Sequence, residues 1–259
     1  MEHHELVAVL TKVANEYPKD MAAEQLRDIP RITYHIELAL AALGPKPHQQ
    51  STVCDLGGGI GLFSVGCAAL GFKRVFLVDD FNDTVNRRVG PSVLDLHRHY
   101  GVEIISRDVI AEGLGDDLPN DFDVITTFDS MEHWHHSPKK MFKEARGLIR
   151  DGGAFILGVP NCVNMRKRIT VPLGIGKWSR IQEWYDEEMF RGHVREPDVD
   201  DLRYIARDMG LADISVFGRN WLGYASANPA VRIATRIMDY PLRLKASFCS
   251  DIYLTGRKC

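Results

Sequence analysis

The stretch VCDLGGGIGLFSVG, residues 53–66, decides the fold class of this chain. A short apolar run contains an acid and is followed by Gly57, Gly58, Gly59 and Gly61, after which helix-forming residues begin. Glycine adopts positive φ and lets the backbone approach a ligand closely, and the helix start offers N–H groups to an anion. The stretch therefore predicts a strand, a nucleotide-cradling loop and a helix. The alternative is a glycine-rich turn that binds nothing.

Strand-like and helix-like segments alternate along most of the chain. The strand-like runs are STVCDL, RVFLVD, VEIISR, FDVITTF and GAFILGVP. The helix-like segments between them are residues 62–70, 83–100 and 138–149, and two further strands are predicted near 211–218 and 250–257. Such alternation builds parallel βαβ units with right-handed crossovers. The sequence therefore predicts an α/β fold, a Rossmann-like seven-stranded mixed sheet with helices on both faces.

Apolar residues recur at helical spacing near the start of the chain, and we interpret residues 1–47 as an N-terminal helical extension. Two or three helices are expected there, broken near Pro18 and Pro30 and stopped by the sequence GPKP at residues 44–47. Residues 48–259 form the predicted main domain. Its insertions at 161–196 and 219–248 fall where such sheets place ligand-facing loops, so we expect them to cap a site.

The two insertions differ in chemistry. The first is basic and aromatic, and its segment 164–168 together with Lys177, Trp178 and Arg180 is predicted to bind an anionic acceptor. A solvated basic face is the alternative. The second insertion has apolar residues at loosely helical spacing, which indicates core or homodimer packing, with peripheral membrane contact as the alternative.

Composition excludes several function classes. The 259-residue chain has a formal net charge of -3, which gives no electrostatic argument for nucleic-acid binding. We expect no signal peptide at the start, and no window has the apolar length of a membrane-spanning helix. The five cysteines are scattered without a CxxC pair, so we expect a reducing compartment, the cytoplasm.

The spacing of the glycines separates two kinds of nucleotide site. A dehydrogenase loop, G-x-G-x-x-G, would need a small residue at position 62, where this chain has Leu62. Here the glycines run G-x-G-x-G, with Asp55 two residues before the first of them. Asp79 closes the next strand, at the place of a ribose-binding carboxylate. The pattern favours another ligand than a nicotinamide dinucleotide.

These motifs resemble those of the class I S-adenosylmethionine-dependent methyltransferases over about residues 50–220. VCDLGGGIGLF resembles their motif I, D-x-G-x-G-x-G, and FLVDD resembles the acidic end of their second strand. SRDV at residues 106–109 resembles the turn beside the adenine, and residues 122–161 resemble the segment from the fourth strand to the fifth. The resemblance implies a methyltransferase that binds S-adenosyl-L-methionine.

The resemblance also implies which residues contact the cofactor. In it, Asp79 takes the ribose hydroxyls and Asp108 accepts a hydrogen bond from the adenine amine, with a solvated turn acid as the alternative for Asp108. Arg31 is expected to reach the cofactor carboxylate, although a surface arginine is the commoner explanation. Phe128 is expected below the sulfonium. The full set is Arg31, Asp55, Gly57, Gly59, Gly61, Asp79, Asp80, Asp108, Val109 and Phe128.

Methyl transfer to a hydroxyl needs a base that takes the hydroxyl proton. His133, in the run TTFDSMEHWHHSP after the fourth strand, is the predicted base, because an imidazole titrates near neutral pH. The alternative is a histidine that caps the loop or packs under the cofactor.

A metal site is a second interpretation of the same run. Asp129, Glu132 and His133 resemble the E-x-x-E-H stretch with which ubiquinone-biosynthesis O-methyltransferases bind a divalent cation, and this resemblance implies bound Mg²⁺. Aspartate replaces the first glutamate and so shortens one ligand.

We therefore predict an S-adenosylmethionine-dependent methyltransferase that methylates oxygen on a small molecule or a glycan or glycolipid precursor. The alternatives are a divalent-metal-dependent O-methyltransferase of the ubiquinone-biosynthesis type and a non-catalytic module that binds S-adenosylmethionine. The expected partners are the small-molecule or glycan substrate and a second copy of the chain, and no nucleic acid is expected.

Overall fold

The structure is a computed structural model that describes most of the chain. Apart from the side chains of residues 84–91 and 183, it describes residues 2–81, 84–175, 181–186, 190, 192–224, 226 and 228–259. The predicted anion-binding residues Lys177, Trp178 and Arg180 lie outside the described residues.

The described residues contain seven strands in one mixed sheet. The strands are β1 (Thr52–Leu56), β2 (Arg74–Asp79), β3 (Val102–Ser106), β4 (Phe122–Phe128), β5 (Ile149–Pro160), β6 (Ala212–Arg219) and β7 (Asp251–Arg257). Their order is β3-β2-β1-β4-β5-β7-β6, and β7 is antiparallel. In the central parallel register, Asp55 lies opposite Leu77 of β2 and Thr126 of β4. The predicted α/β class and seven-stranded mixed sheet are confirmed.

Ten α-helices connect and extend the strands within the described part of the chain. They are α1 (His3–Asn15), α2 (Lys19–Leu43), α3 (Leu62–Ala69), α4 (Thr84–His99), α5 (Lys139–Leu148), α6 (Met165–Thr170), α7 (Ile181–Tyr185), α8 (Val199–Met209), α9 (Trp221–Tyr224) and α10 (Pro229–Arg243). None of the described helices combines the length and the apolar character that crossing a bilayer needs.

The N-terminal helices differ from the prediction at one proline. The chain breaks between α1 and α2 near Pro18 and stops at Gly44, as expected, but α2 continues through Pro30. Proline removes one helical hydrogen bond, to the carbonyl four residues earlier, on Leu26. Both residues are on the exposed side of the helix, where water can solvate that carbonyl, while the neighbouring Ile29 is buried. The predicted break near Pro30 is therefore wrong.

The chain folds into two compact units. The first comprises Met1–Phe128, Lys139–Ile156 and Arg257–Cys259, and the second comprises Asp129–Pro138 and Leu157–Gly256. The first unit holds the glycine loop, and the second holds the run after β4 and both predicted insertions. The boundary that we predicted at residue 47 stays a prediction.

Candidate functional site

The glycine loop joins β1 to α3 in the first unit. Gly57 and Gly59 have φ of 69° and 57°, the left-handed region that side chains disfavour. The Gly57 amide donates to the Val78 carbonyl of β2 at 2.8 Å. Gly61 is the N-cap of α3, and it has no side chain with which to cap the first turn. The amides at the helix start are thus available to an anionic group.

Asp79, at the end of β2, holds this loop through hydrogen bonds to its carboxylate. Its Oδ2 accepts the Gly59 amide at 2.6 Å, and its Oδ1 accepts the Asp80 amide at 2.7 Å. The side chain is half-buried, so it is reachable from solvent as well as from the backbone. Asp79 therefore shapes the loop in addition to the ribose-binding role that we predicted for it.

Asp55 lies beneath the loop, inside the core. Its carboxylate accepts hydrogen bonds from Ser64 Oγ at 2.8 Å and from Thr126 Oγ1 at 2.9 Å. Burial raises its pKa to about 6, the two hydroxyls oppose this rise, and the charge of Asp79 adds to it. A Cβ atom on Gly58 would overlap Asp55 Oδ2, so any side chain there would displace the Asp55 carboxylate. The sequence motif does not reveal this requirement at position 58.

Two buried side chains that the sequence analysis missed hold the far end of the loop. The Tyr17 hydroxyl is 3.1 Å from the carbonyl oxygens of both Ile60 and Gly61. His97 Nε2 is 3.2 Å from the same Gly61 oxygen, and its Nδ1 is 2.9 Å from the Val93 oxygen. Burial raises the pKa of Tyr17 and lowers that of His97. Neither residue belongs to a motif, so no sequence signal could have found them.

The turn after β3 contains the two residues predicted beside the adenine. Asp108 Oδ1 accepts the amides of Ile110 at 2.9 Å and Ala111 at 3.0 Å, which makes it the cap of that turn. Its side chain is exposed, and Val109 beside it is buried. The turn uses only Oδ1, so the geometry agrees with the turn-acid alternative and leaves the adenine contact a prediction.

Phe128, the last residue of β4, packs against a histidine that the sequence analysis also missed. Its ring stacks on His35 of α2 with centroids 3.9 Å apart and meets the Phe63 ring edge-on at 5.1 Å. Burial, with the nearby Arg31 charge as the smaller cause, holds the pKa of His35 well below its usual value. Arg31 also forms an ion pair with Asp28, one turn earlier in α2. Its contact with a cofactor carboxylate stays a prediction.

In the second unit, the run after β4 turns sharply at Asp129. This residue has a φ of 50°, which aspartate tolerates better than most side chains, and its amide donates to the Gly158 carbonyl at 2.8 Å. A short 3₁₀ helix, Met131–His133, follows.

This helix brings Glu132 and His133 to a second histidine, His193, and we call the three residues the Glu132 cluster. His133 Nε2 and His193 Nε2 lie 3.9 and 4.0 Å from Glu132 Oε1, and the two imidazole centroids are 4.9 Å apart. The Glu132 carbonyl accepts the amides of Val194 at 2.7 Å and Arg195 at 3.2 Å, which positions His193. His193 stands in the first insertion, sixty positions along the chain, and no motif marks it.

Glu132 is buried near other acids, and a hydrogen bond from its own backbone amide favours its charged form. Burial raises its pKa to about 9, and the charges of Asp129, Glu196 and Asp251 act in the same direction. Its Oε2 has no hydrogen-bond partner among the described residues. Burial and the neighbouring acids therefore favour the protonated form of Glu132.

Glu196 orients the imidazole of His193. His193 Nδ1 is 2.8 Å from Glu196 Oε1, and Lys167 forms an ion pair with the same carboxylate. Burial by itself would raise the pKa of Glu196, but the contacts with His193 and Lys167 outweigh burial and lower it. Because an ionised carboxylate only accepts hydrogen bonds, Nδ1 carries a proton, and Nε2 of the same ring is directed at Glu132. This arrangement can accept a proton.

The donor set does not match the predicted magnesium site. Among the described residues, the group whose ligand atoms lie within 4.8 Å of one another is Glu132, His133 and His193, and Asp129 is outside it. Mg²⁺ prefers oxygen ligands in octahedral geometry, whereas two of these three donors are imidazole nitrogens. The predicted Mg²⁺ is therefore not supported.

Comparison with known proteins gives one curated relative and several similar structures. The ubiquinone biosynthesis O-methyltransferase of Pseudomonas putida is 26% identical over an alignment of 113 residues, and the match covers 35% of this chain. The match spans 48% of that enzyme, about half of its length.

The similar structures share the fold at low sequence identity. A SAM-dependent methyltransferase from Thermotoga maritima has a TM-score of 0.54 at 15% identity, covering 98% of this chain and 100% of that one. Magnesium protoporphyrin IX methyltransferase from Synechocystis, with bound S-adenosylhomocysteine, has a TM-score of 0.55 at 13% identity, covering 91% and 85%. Phosphoethanolamine N-methyltransferase 2 from Haemonchus contortus, in complex with S-adenosylmethionine, has a TM-score of 0.54 at 16% identity, covering 87% and 52%.

The family assignment rests on a longer match. The family model described as a methyltransferase domain matches residues 27–216, well over half of the chain, and this range includes the glycine loop, Asp79 and the Glu132 cluster. Together with the strand order and the loop geometry, this match shows that the chain belongs to the class I S-adenosylmethionine-dependent methyltransferases.

Proposed function

We propose that this protein transfers a methyl group from S-adenosylmethionine to an oxygen atom of a small molecule or of a glycan or glycolipid precursor. The observation that carries the proposal is the glycine loop held to β2 by the 2.6 Å bond from the Gly59 amide to Asp79. When bound, the cofactor supplies a methyl group that is already activated, so the protein has to align the reactants and remove a proton.

The first unit offers groups that fit each part of the cofactor. The left-handed glycines and the uncapped start of α3 suit its anionic amino acid end. Asp79, half-buried at the end of β2, suits the ribose hydroxyls. The residues that we assign to the cofactor are those predicted from the sequence, and Asp55 acts through Ser64 and Gly58 rather than by facing outward.

The Glu132 cluster supports oxygen as the acceptor atom, because a hydroxyl needs a base during the attack, whereas a neutral amine attacks through its own lone pair. We propose that its imidazole pair takes this proton, with His133 as the predicted base and His193 as the member whose tautomer is set by Glu196. A protonated Glu132 places no negative charge on the Nε2 side of the two imidazoles, while the Glu196 carboxylate lies at Nδ1 of His193. The curated relative's name, an O-methyltransferase, is consistent with this choice.

Cofactor binding is tested by calorimetric titration with S-adenosylhomocysteine. We expect Gly59→Val to abolish binding, because a side chain would occupy the ligand's space at a backbone conformation that disfavours it. We expect Asp79→Ala to weaken binding by about 1.5–3 kcal/mol through loss of a charged acceptor. The control Asp116→Ala changes an exposed acid of the same unit and should leave the affinity unchanged. Unchanged affinity in Gly59→Val would show that the glycine loop is not part of the cofactor site.

Turnover separates the proposed enzyme from its two alternatives. We expect radiolabelled methyl transfer to hydroxylated small molecules and glycans, and we expect full activity in excess chelator. Loss of activity in chelator with recovery on added Mg²⁺ would favour the metal-dependent alternative. Tight binding of S-adenosylhomocysteine without transfer to any acceptor class would favour the non-catalytic one.

A further inference from the structure

Helix α10 of the second unit turns its polar face towards the protein. Asp239 is buried, accepts a hydrogen bond from Asn220 Nδ2 at 2.9 Å and pairs with Arg243 at 3.0 Å. Thr235 packs so closely on α9 that a Cβ atom on Gly223 would overlap it. A helix on the surface of a globular protein normally buries its apolar face instead.

The opposite face of α10 is apolar and exposed. Its side chains recur at the i, i+4, i+7 and i+11 spacing of a single helical stripe, and we call them the α10 face. They are Ile233, Ile237, Tyr240 and Leu244, which are 58%, 70%, 71% and 76% exposed. Contiguous apolar surface of this kind marks a site of contact with another molecule or a membrane.

Basic side chains lie on the same helix as the α10 face and near its end. Arg236 and Lys245 are exposed on the same helix and at its end. Lys245 Nζ lies 5.1 Å from the centroid of the Phe248 ring, and the guanidinium carbon of Arg168 in α6 lies 5.2 Å from the same centroid. The segment that contains α6 thereby adjoins the end of α10. That segment also exposes apolar side chains, namely Ile169, Val171, Leu173 and Ile175.

Negative charge is nearly absent from both segments. Residues 165–175 contain no acid, and the single acid of residues 228–248, Asp239, is buried and paired. A second copy of the chain packed on this face would bring basic residues against basic residues. An anionic lipid surface is complementary to it, since cations attract lipid headgroups while apolar side chains enter the acyl boundary.

We propose that the α10 face and the adjoining 165–175 segment dock on an anionic lipid bilayer, with α10 lying in the plane of the interface. No described helix is suited to span the bilayer, which agrees with an interfacial position. The inference does not depend on the acceptor, because it stands on the reversed polarity of α10 and on the charges beside it.

Cosedimentation with vesicles tests the proposal on the full chain. We expect binding to vesicles of phosphatidylcholine with phosphatidylglycerol, weaker binding to phosphatidylcholine alone, and a decrease with added salt. Arg236→Gln should weaken binding about fivefold. The double variant Ile233→Asn, Ile237→Asn should weaken it by more than tenfold, because two exposed apolar anchors are lost from the stripe.

The control is Tyr204→Ser, which removes an exposed aromatic side chain of α8 outside the α10 face. It should bind vesicles like the unmodified protein, and all variants should keep their affinity for S-adenosylhomocysteine. Equal binding to both vesicle types, or no binding to either, would overturn the proposal. So would a stable dimer in light scattering that the Ile233, Ile237 variant dissociates, since the face would then be an interface between copies.

Discussion

Each unit of the molecule buries a carboxyl group at its candidate site, and the surroundings raise the pKa values of the two groups to different extents. Asp55 receives two hydroxyl donors, so burial raises its pKa only to about 6. Glu132 has an oxygen without a hydrogen-bond partner among the described residues and lies near other acids, so its pKa reaches about 9. Burial is common to both; two hydroxyl donors oppose it at Asp55, whereas at Glu132 the charge of Asp129 adds to it and the opposing hydrogen bond comes from the residue's own backbone.

Asp55 supports the glycine loop, whereas Glu132 belongs to the cluster proposed to take up a proton. Asp55 is bonded on both oxygens inside the core, as expected for a residue that holds Ser64 and Thr126 beneath the loop. Glu132 is incompletely satisfied and adjoins two imidazoles, as expected where protons are exchanged. Substitutions around Asp55 should therefore mainly lower stability, and substitutions of the histidines in the Glu132 cluster should mainly lower the rate of methyl transfer.

The largest expected effect is on rate, at the Glu132 cluster. His133→Ala should lower kcat by about 10²–10⁴-fold, the usual scale for a positioned acid or base, while binding of S-adenosylhomocysteine is kept. His193→Ala should also lower kcat, because it removes the imidazole that Glu196 orients. The measurement is steady-state transfer to an accepted hydroxyl substrate, with the exposed neighbour His136→Ala as the unaffected control. Full activity in both His133→Ala and His193→Ala would leave alignment alone as the catalyst.

The next effect is on stability, at the glycine loop. Gly58→Ala should lower the free energy of unfolding by about 1–3 kcal/mol, because the added methyl group overlaps the Asp55 carboxylate. Chemical denaturation measures it. The matched control is Gly61→Ala, where φ is -70° and the nearest atom beyond the neighbours is 3.4 Å away, so the loss should be much smaller. Equal losses at the two glycines would show that Asp55 does not support the loop.

An effect of similar size, confined to alkaline pH, concerns the pH dependence of stability through Glu132. Its folded pKa of about 9 lies above its ordinary value of 4.5, so the folded state holds a proton that the unfolded state has released. This contribution to stability is fully present below pH 4.5 and is lost as the pH rises towards 9. Glu132→Gln should therefore stabilise the protein at pH 8 by about 1–3 kcal/mol and leave it nearly unchanged near pH 4.5. A destabilised variant at pH 8 would indicate that Glu132 is ionised by a bound cation.

The smallest effect is the corresponding one at Asp55. Its pKa rises from 3.8 only to about 6, so its part of the pH dependence ends near pH 6. Asp55→Asn should abolish a shallow decline in stability between pH 3.8 and about 6 and should leave the pH dependence above pH 6 unchanged. Its overall stability should still fall, because the hydrogen bonds from the two hydroxyl groups are lost. Thermal unfolding across pH compares the two variants. A decline in stability above pH 6 that Asp55→Asn abolishes would show that the folded pKa of Asp55 lies well above 6.

The sequence by itself determined the strand and helix pattern and the loop at its centre. Segments β2 and β4 begin and end where apolar runs predict, and α3 and α5 agree to within a residue at each end. These features depend on local periodicity and on the conformations open to glycine. Both can be read from residues that are neighbours in the sequence. Asp79 was found for the same reason, because a strand end has a fixed place beside the loop.

Tertiary structure decided which residues from distant parts of the chain come into contact. Tyr17 and His97 reach the loop, and His193 joins Glu132 and His133, only after folding brings distant segments together. The continuity of α2 through Pro30 and the outward apolar face of α10 likewise depend on which side of each helix is buried. Periodicity predicts that a helix has an apolar face, but the direction of that face is set by packing against the rest of the protein.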